Sequence, residues 1–174
     1  RLVISIAGNV DESFIKEVEK LFGSYERGKT AEVAQEKATF HMNTLHRKKE
    51  TEQAHLCLGF EGLSIGDPNS YSLVVMNNIL GGSMSSRLFQ EVREQRGLAY
   101  SIYSYHSSYK DSGLVTIYGG TGAKQMDVLF ETIQQTLDAF KRDGITEKEL
   151  LKSKEQLKGN LMLRLESTNS RMSR

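Results

Sequence analysis

The fold turns on residues 97–121, Gly97-Leu98-Ala99-Tyr100-Ser101-Ile102-Tyr103-Ser104-Tyr105-His106-Ser107-Ser108-Tyr109-Lys110-Asp111-Ser112-Gly113-Leu114-Val115-Thr116-Ile117-Tyr118-Gly119-Gly120-Thr121. Residues 99–109 are rich in Tyr, Ser and Ile and read as a strand. Lys110-Asp111-Ser112-Gly113 is a turn, and residues 114–118 return as a second strand, so the two form a hairpin. Downstream, Met126, Leu129, Ile133 and Leu137 recur at helical spacing over residues 124–140. Gly144 punctuates that helix. Thr146 and Glu149 then make a capping box that opens a long helix running to the chain end.

Upstream, Asp67-Pro68 starts a helix carrying Tyr71, Val74, Val75, Ile79 and Leu80, which Gly81-Gly82 ends. A second helix covers about residues 85–95, with Leu88, Phe89 and Val92 inward and Gly97 at its end. In residues 53–60, Ala54, Leu56, Leu58 and Phe60 share one face while His55, Cys57 and Gly59 share the other, the signature of a half-buried strand. Residues 39–48 read as a further strand with imperfect alternation. The order β-β-α-α-β-β-α-α argues an α+β domain, an antiparallel sheet with helices on one face. Ahead of it lie a short β-rich run over residues 2–7, a capping box from Asn9 to Glu12, and a helix marked by Phe14, Ile15, Val18, Leu21 and Phe22 at helical spacing. Polar residues 24–37 read as a linker. Three segments result: 1–23, a strand and a helix too small to fold alone; the linker 24–37; and the domain 38–174.

The chain has 174 residues, 23 Lys+Arg against 22 Asp+Glu, and one cysteine. Near-zero net charge argues against a nucleic-acid footprint or an anionic-membrane surface. One cysteine excludes an internal disulfide framework and fits a reducing compartment. No apolar run approaches the ~18 residues of a membrane span. The chain opens inside an apolar run and closes inside a helix-like pattern, which predicts a piece of a longer protein.

Catalytic groups are few. His41 and His46, five apart on a strand, fall on opposite faces. His55 and Cys57 share a face, but two ligands do not make a zinc site, and H-x-x-E-H is absent. Cys57 lies mid-strand rather than in the electropositive niche a reactive thiol needs. Gly81-Gly82 and the Ser83-Met84-Ser85-Ser86 that follow offer free backbone N–H groups at a helix start. They read either as a cradle for an anion or peptide backbone, or as a helix–helix corner with Gly81 at positive φ and Ser85 as cap. Arg93 falls near a helix C-terminus and Tyr100 at the start of the next strand. A cationic fork and a phenol brought together there can hold a carbonyl oxygen or the charge that develops on it. Alternatively, Arg93 compensates the helix dipole and Tyr100 packs.

Several stretches, in this order, resemble the second homologous domain of the insulinase/pitrilysin (M16) metallopeptidases, bacterial processing-peptidase branch. They are Leu80-Gly81-Gly82, Ser85-Ser86-Arg87-Leu88-Phe89, Glu91-Val92-Arg93-Glu94, Gly97-Leu98-Ala99-Tyr100-Ser101, Tyr109-Lys110-Asp111-Ser112-Gly113 and Tyr118-Gly119-Gly120-Thr121. Thr51-Glu52-Gln53-Ala54-His55 and Gly66-Asp67-Pro68 add to them, and Ile6-Ala7-Gly8-Asn9-Val10-Asp11 resembles the last strand and helix of the first domain. The resemblance implies a LuxS/MPP-like metallohydrolase-type domain of a zinc endopeptidase acting on peptides or presequences. Zinc would sit in a first domain upstream of Arg1, on H-x-x-E-H plus a distant Glu, and none would be bound by this chain. Arg93 and Tyr100, seven apart in the matching motif, would assist substrate binding and the transition state, and Gly81 and Gly82 match the position of the family's substrate loop. The implied partners are a polypeptide substrate, the zinc-bearing first domain, and a second copy or paired half; no nucleic acid and no membrane are expected, and the implied location is the bacterial cytoplasm. The same fold also serves as a noncatalytic scaffold or partner subunit, a reading left open here. A nucleotide- or RNA-binding module, drawn from the glycine turn and the Tyr-rich strand, is disfavoured by the net charge.

Overall fold

The computed structural model describes residues 3–26, 28 and 38–173. It divides into two compact units, one of Arg1–Glu36 with Gln156–Arg174 and one of Lys37–Glu155. Most of the proposed linker 24–37 lies outside the described residues.

In the first unit, helix α1 spans Glu12–Phe22. Its N-cap is Asp11, whose carboxylate accepts the Phe14 N–H, in place of the Asn9 cap that the sequence spacing predicts. A carboxylate at this position satisfies an orphan donor and complements the positive end of the helix dipole. Residues 3–7 form no strand; Arg1 and Leu2 lie outside the described residues. A strand exists only through a partner ladder, and among the described residues none pairs with this run. The Ser5 hydroxyl instead donates to the Met172 carbonyl at 2.7 Å.

The second unit is built on a three-stranded antiparallel sheet in the order β1-β3-β2. Its strands are β1 (Ala54–Glu61), β2 (Ser101–Ser108) and β3 (Gly113–Thr121). The expected hairpin forms in register, Ser108 opposite Gly113 and Ser101 opposite Gly120. The alternation in β1 holds: Ala54, Leu56 and Leu58 point inward and His55 and Cys57 outward. The strand expected over residues 39–48 does not form, and residues 38–53 are irregular and exposed. Imperfect alternation leaves that segment without one clean apolar face to bury, so register is weakly specified.

Helix α2 (Ser70–Leu80) packs against β2, and α3 (Met126–Asp143) packs against β1 and β3. Leu88, Val92, Ile117, Leu129 and Ile133 are fully buried between the helices and the sheet. Helix α4 (Glu147–Glu166) opens on the expected capping box: Thr146 N–H donates to Glu149 Oε2 at 2.8 Å, and Glu149 N–H donates to Thr146 Oγ1 at 3.2 Å. It does not continue to the chain end. Ser167 interrupts it and caps a short α5 (Thr168–Met172), its hydroxyl accepting the Ser170 N–H.

Candidate functional site

The segment expected as a second helix is wound as a π-helical turn over Phe89–Glu94. Its closing bond runs from the Gln95 N–H to the Gln90 carbonyl at 2.9 Å. Such turns insert one residue into the helical ladder and recur at functional sites. Gly97 then adopts φ +59, the left-handed conformation that ends the turn, and the Leu98 N–H returns to the Val92 carbonyl at 2.9 Å. This sharp reversal brings Arg93 and Tyr100 together. The guanidinium carbon of Arg93 lies 5.0 Å from the Tyr100 ring centre and 4.9 Å from that of Phe89. Both contacts are cation–π distances.

Arg93 rests against both rings, and among the described residues no hydrogen bond engages its N–H groups. The Glu94 carboxylate stands 4.0 Å from Nε, an ion pair too long for a hydrogen bond. The Arg93 side chain is 38% exposed and Tyr100 is 73% exposed. A planar cation with unspent N–H donors beside an exposed phenol can receive a carbonyl oxygen or an oxyanion.

Gly81 and Gly82 sit at the end of α2. Gly81 has φ −157 and ψ 7, so it does not supply the positive φ expected of a helix corner. What requires glycine there is space: a Cβ would stand 2.6 Å from both the backbone N and the Oγ of Ser104 on β2. The Ser104 N–H donates to the Gly81 carbonyl at 3.0 Å, docking the turn onto the sheet. Gly82 and Met84 are exposed, but the N–H groups of Gly81 and Gly82 both donate to the Asn77 carbonyl, at 3.0 and 2.9 Å, so the free donors expected of the glycine pair are already spent.

Two arrangements escaped the sequence reading. Arg87 donates to both oxygens of Glu149, from Nε at 2.7 Å and from Nη2 at 2.9 Å, and from Nη2 also to the Gly144 carbonyl. These bonds hold the Glu149 carboxyl down to about 2, against an ordinary 4.5, more than partial burial raises it. The second is an aromatic row across the open face of the sheet. Tyr105, Tyr103, Tyr118 and His55 follow one another with ring-centre separations of 6.1, 4.9 and 5.9 Å. The Tyr118 hydroxyl and His55 Nδ1 share a hydrogen bond of 2.7 Å. The Tyr-rich strand was a visible signal, and hairpin register, which sets Tyr103 opposite Tyr118, completes it.

Among the described residues, no three His, Cys, Asp or Glu side chains form a group able to hold a metal. His55 is engaged by Tyr118, and His41 shares a hydrogen bond with Thr39. These residues do not fit a zinc site. No helix among the described residues is long and apolar enough to cross a membrane.

The sequence pattern of the peptidase M16 inactive domain matches residues 1–157. A Bacillus subtilis protein named an uncharacterized zinc protease, YmxG, is 69% identical over 100% of this chain and 42% of its own length. The structure of a peptidase M16 inactive domain from Pseudomonas fluorescens is 33% identical with a TM-score of 0.61, over 63% of this chain and 27% of that one. A protease from Helicobacter pylori aligns over 94% of this chain and 41% of its own with a TM-score of 0.79; at 21% identity it bears on the fold alone. The chain thus spans less than half the length of these relatives.

Proposed function

This chain belongs to the peptidase M16 inactive-domain family, and we propose that it is the non-metal-binding part of a zinc-dependent endopeptidase. In this reading it supplies Arg93 and Tyr100 to substrate binding and to the transition state. The single observation that carries it is the Arg93–Tyr100 stack at 5.0 Å, with the guanidinium donors left free. Phe89 and Tyr100 hold the cation in place, and its unspent N–H donors are available when charge develops on a carbonyl oxygen. The Tyr100 hydroxyl donates a further hydrogen bond to the same oxygen. The Gly81–Gly82 turn lines the substrate path, anchored on β2 by Gly81, with both of its N–H groups bonded to Asn77.

Zinc belongs to a part of the protein outside this chain, on the upstream H-x-x-E-H helix that the family resemblance implies. A partner half, either the first domain or a second copy, covers apolar side chains such as Phe14, Ile15, Leu21 and Phe22, which α1 leaves exposed. The single thiol fits a reducing, bacterial cytoplasmic setting.

The test compares this chain with the full-length protein under matched zinc. The reading expects zinc bound and a peptide cleaved only by the full-length protein, with cleavage abolished by a chelator. Chelator-sensitive cleavage by this chain alone sinks it. A full-length protein that binds no zinc and cleaves nothing returns the chain to a scaffold role.

A further inference from the structure

The aromatic row on the open sheet face is not needed by the Arg93–Tyr100 pair, yet it begins next to it. Tyr100 immediately precedes Ser101, and Ser101, Gly120 and His55 form one row across the sheet. The next outward row is Tyr103, Tyr118 and Cys57. Tyr103 is 44% exposed although its ring centre lies only 4.9 Å from that of Tyr118. The rings therefore stack against each other while keeping surface open to a further group.

The row is built rather than incidental. The Tyr118 phenol reaches along β3 over Gly120 to meet His55 Nδ1. A Cβ at Gly120 would stand 3.2 Å from the Tyr118 oxygen, so a side chain there would crowd the hydroxyl. Neither outward row carries an Asp, Glu, Lys or Arg: the six residues are Ser101, Gly120, His55, Tyr103, Tyr118 and Cys57. A carboxylate or ammonium docked on this face would lose hydration without gaining a counter-ion. An aromatic side chain loses little, and gains ring–ring contact at the 4.5–7 Å separations that such pairs prefer.

We propose that Tyr103, Tyr118 and His55 form a specificity subsite that takes an aromatic side chain of the peptide substrate. The proposal rests on the reading of Arg93 and Tyr100 given above. Tyr103 lies three residues beyond Tyr100 along the chain, and the position of the selected side chain relative to the carbonyl held by Arg93 and Tyr100 is read from the peptide series below. Tyr103 and Tyr118 supply the ring faces. The bond to His55 fixes the Tyr118 ring in advance, which lowers the ordering cost of binding.

The test uses the full-length protein and fluorescein-labelled peptides in which one Phe is walked through an otherwise Ala-rich sequence. Binding is read by fluorescence anisotropy with zinc removed, so that no cleavage intervenes. The expected result is one Phe position that tightens Kd by about tenfold over Ala. Tyr103→Ala reduces that preference to about twofold or less and leaves the all-Ala peptide within about twofold of the parent. Where Tyr103→Ala fails to fold by circular dichroism, Tyr103→Leu reads the same loss, because it removes the ring and keeps an apolar side chain of intermediate bulk. A parent with no Phe preference at any position overturns the proposal, as does a folded variant that keeps the full preference. Arg93→Ala separates the two readings: if it cleaves like the parent while the Phe preference persists, the role of Arg93 fails and the subsite stands.

Discussion

Replacing Gly81 by Ala asks whether the glycine pair serves packing or substrate. The added methyl carbon would stand 2.6 Å from the backbone N and the Oγ of Ser104, where ordinary contact begins at 3.4 Å. The deficit of about 0.8 Å falls partly on backbone, which has no rotamer with which to escape. Overpacking of this kind costs ~1–3 kcal/mol. The Ser104 N–H to Gly81 carbonyl bond of 3.0 Å must stretch as well, and Ser104 is 4% exposed, so water cannot replace the lost partner. An unsatisfied buried donor adds ~1–3 kcal/mol. Together these come to roughly 2–6 kcal/mol, a large part of the ~5–15 kcal/mol that holds a domain folded. Urea unfolding followed by far-UV circular dichroism measures this, the chain having no Trp. With a slope of ~2 kcal/mol/M, the midpoint falls by about 1–3 M. A midpoint within ~0.3 M of the parent, together with weakened peptide binding, would refute the packing argument and make Gly81 part of the substrate loop.

Two further substitutions probe the frame that carries the site. Glu149→Gln removes the carboxylate that Arg87 grips, at an expected cost of ~1–3 kcal/mol at pH 7. Because the folded group titrates near 2 instead of 4.5, its contribution is complete above about pH 4.5 and is lost as pH falls toward 2. The variant should therefore lose less stability across that acid window than the parent; identical acid limbs would show that the pair contributes nothing. Leu88→Ala empties a fully buried position beside the π-helical turn. It should cost ~2–5 kcal/mol by thermal or urea unfolding, and a loss under ~1 kcal/mol would mean that this core relaxes freely.

The elements legible in the sequence were those whose signals are local. The hairpin of β2 and β3 follows from a Tyr-, Ser- and Ile-rich run, a polar turn and a returning apolar run. Strand β1 follows from strict alternation at Ala54, Leu56 and Leu58. The α4 start follows from the spacing of Thr146 and Glu149. What escaped depends on partners distant in sequence or on small changes of winding. Residues 3–7 and 39–48 carry β-forming side chains, but a strand is a relation between two segments, and these find no partner among the described residues. The π-helical turn keeps Leu88 and Val92 inward, as an ordinary helix would, so the apolar pattern alone does not reveal the extra residue. Asp11 displaced Asn9 as the cap of α1, a shift of two residues between polar types that cap equally well. The convergence of Arg93 and Tyr100 was legible from the short glycine loop between them; that Phe89 completes the stack, and that His55 and Tyr118 meet across β1 and β3, required the register.

The central claim is that Arg93 acts on the substrate while the metal is held elsewhere in the protein. It is tested by measuring zinc content and kcat/KM together for Arg93→Ala in the full-length protein. Zinc stoichiometry should equal the parent's and kcat/KM should fall by roughly 10²–10³, the loss expected when a donor to a developing oxyanion is removed. An unchanged kcat/KM, or zinc lost in step with activity, would contradict it.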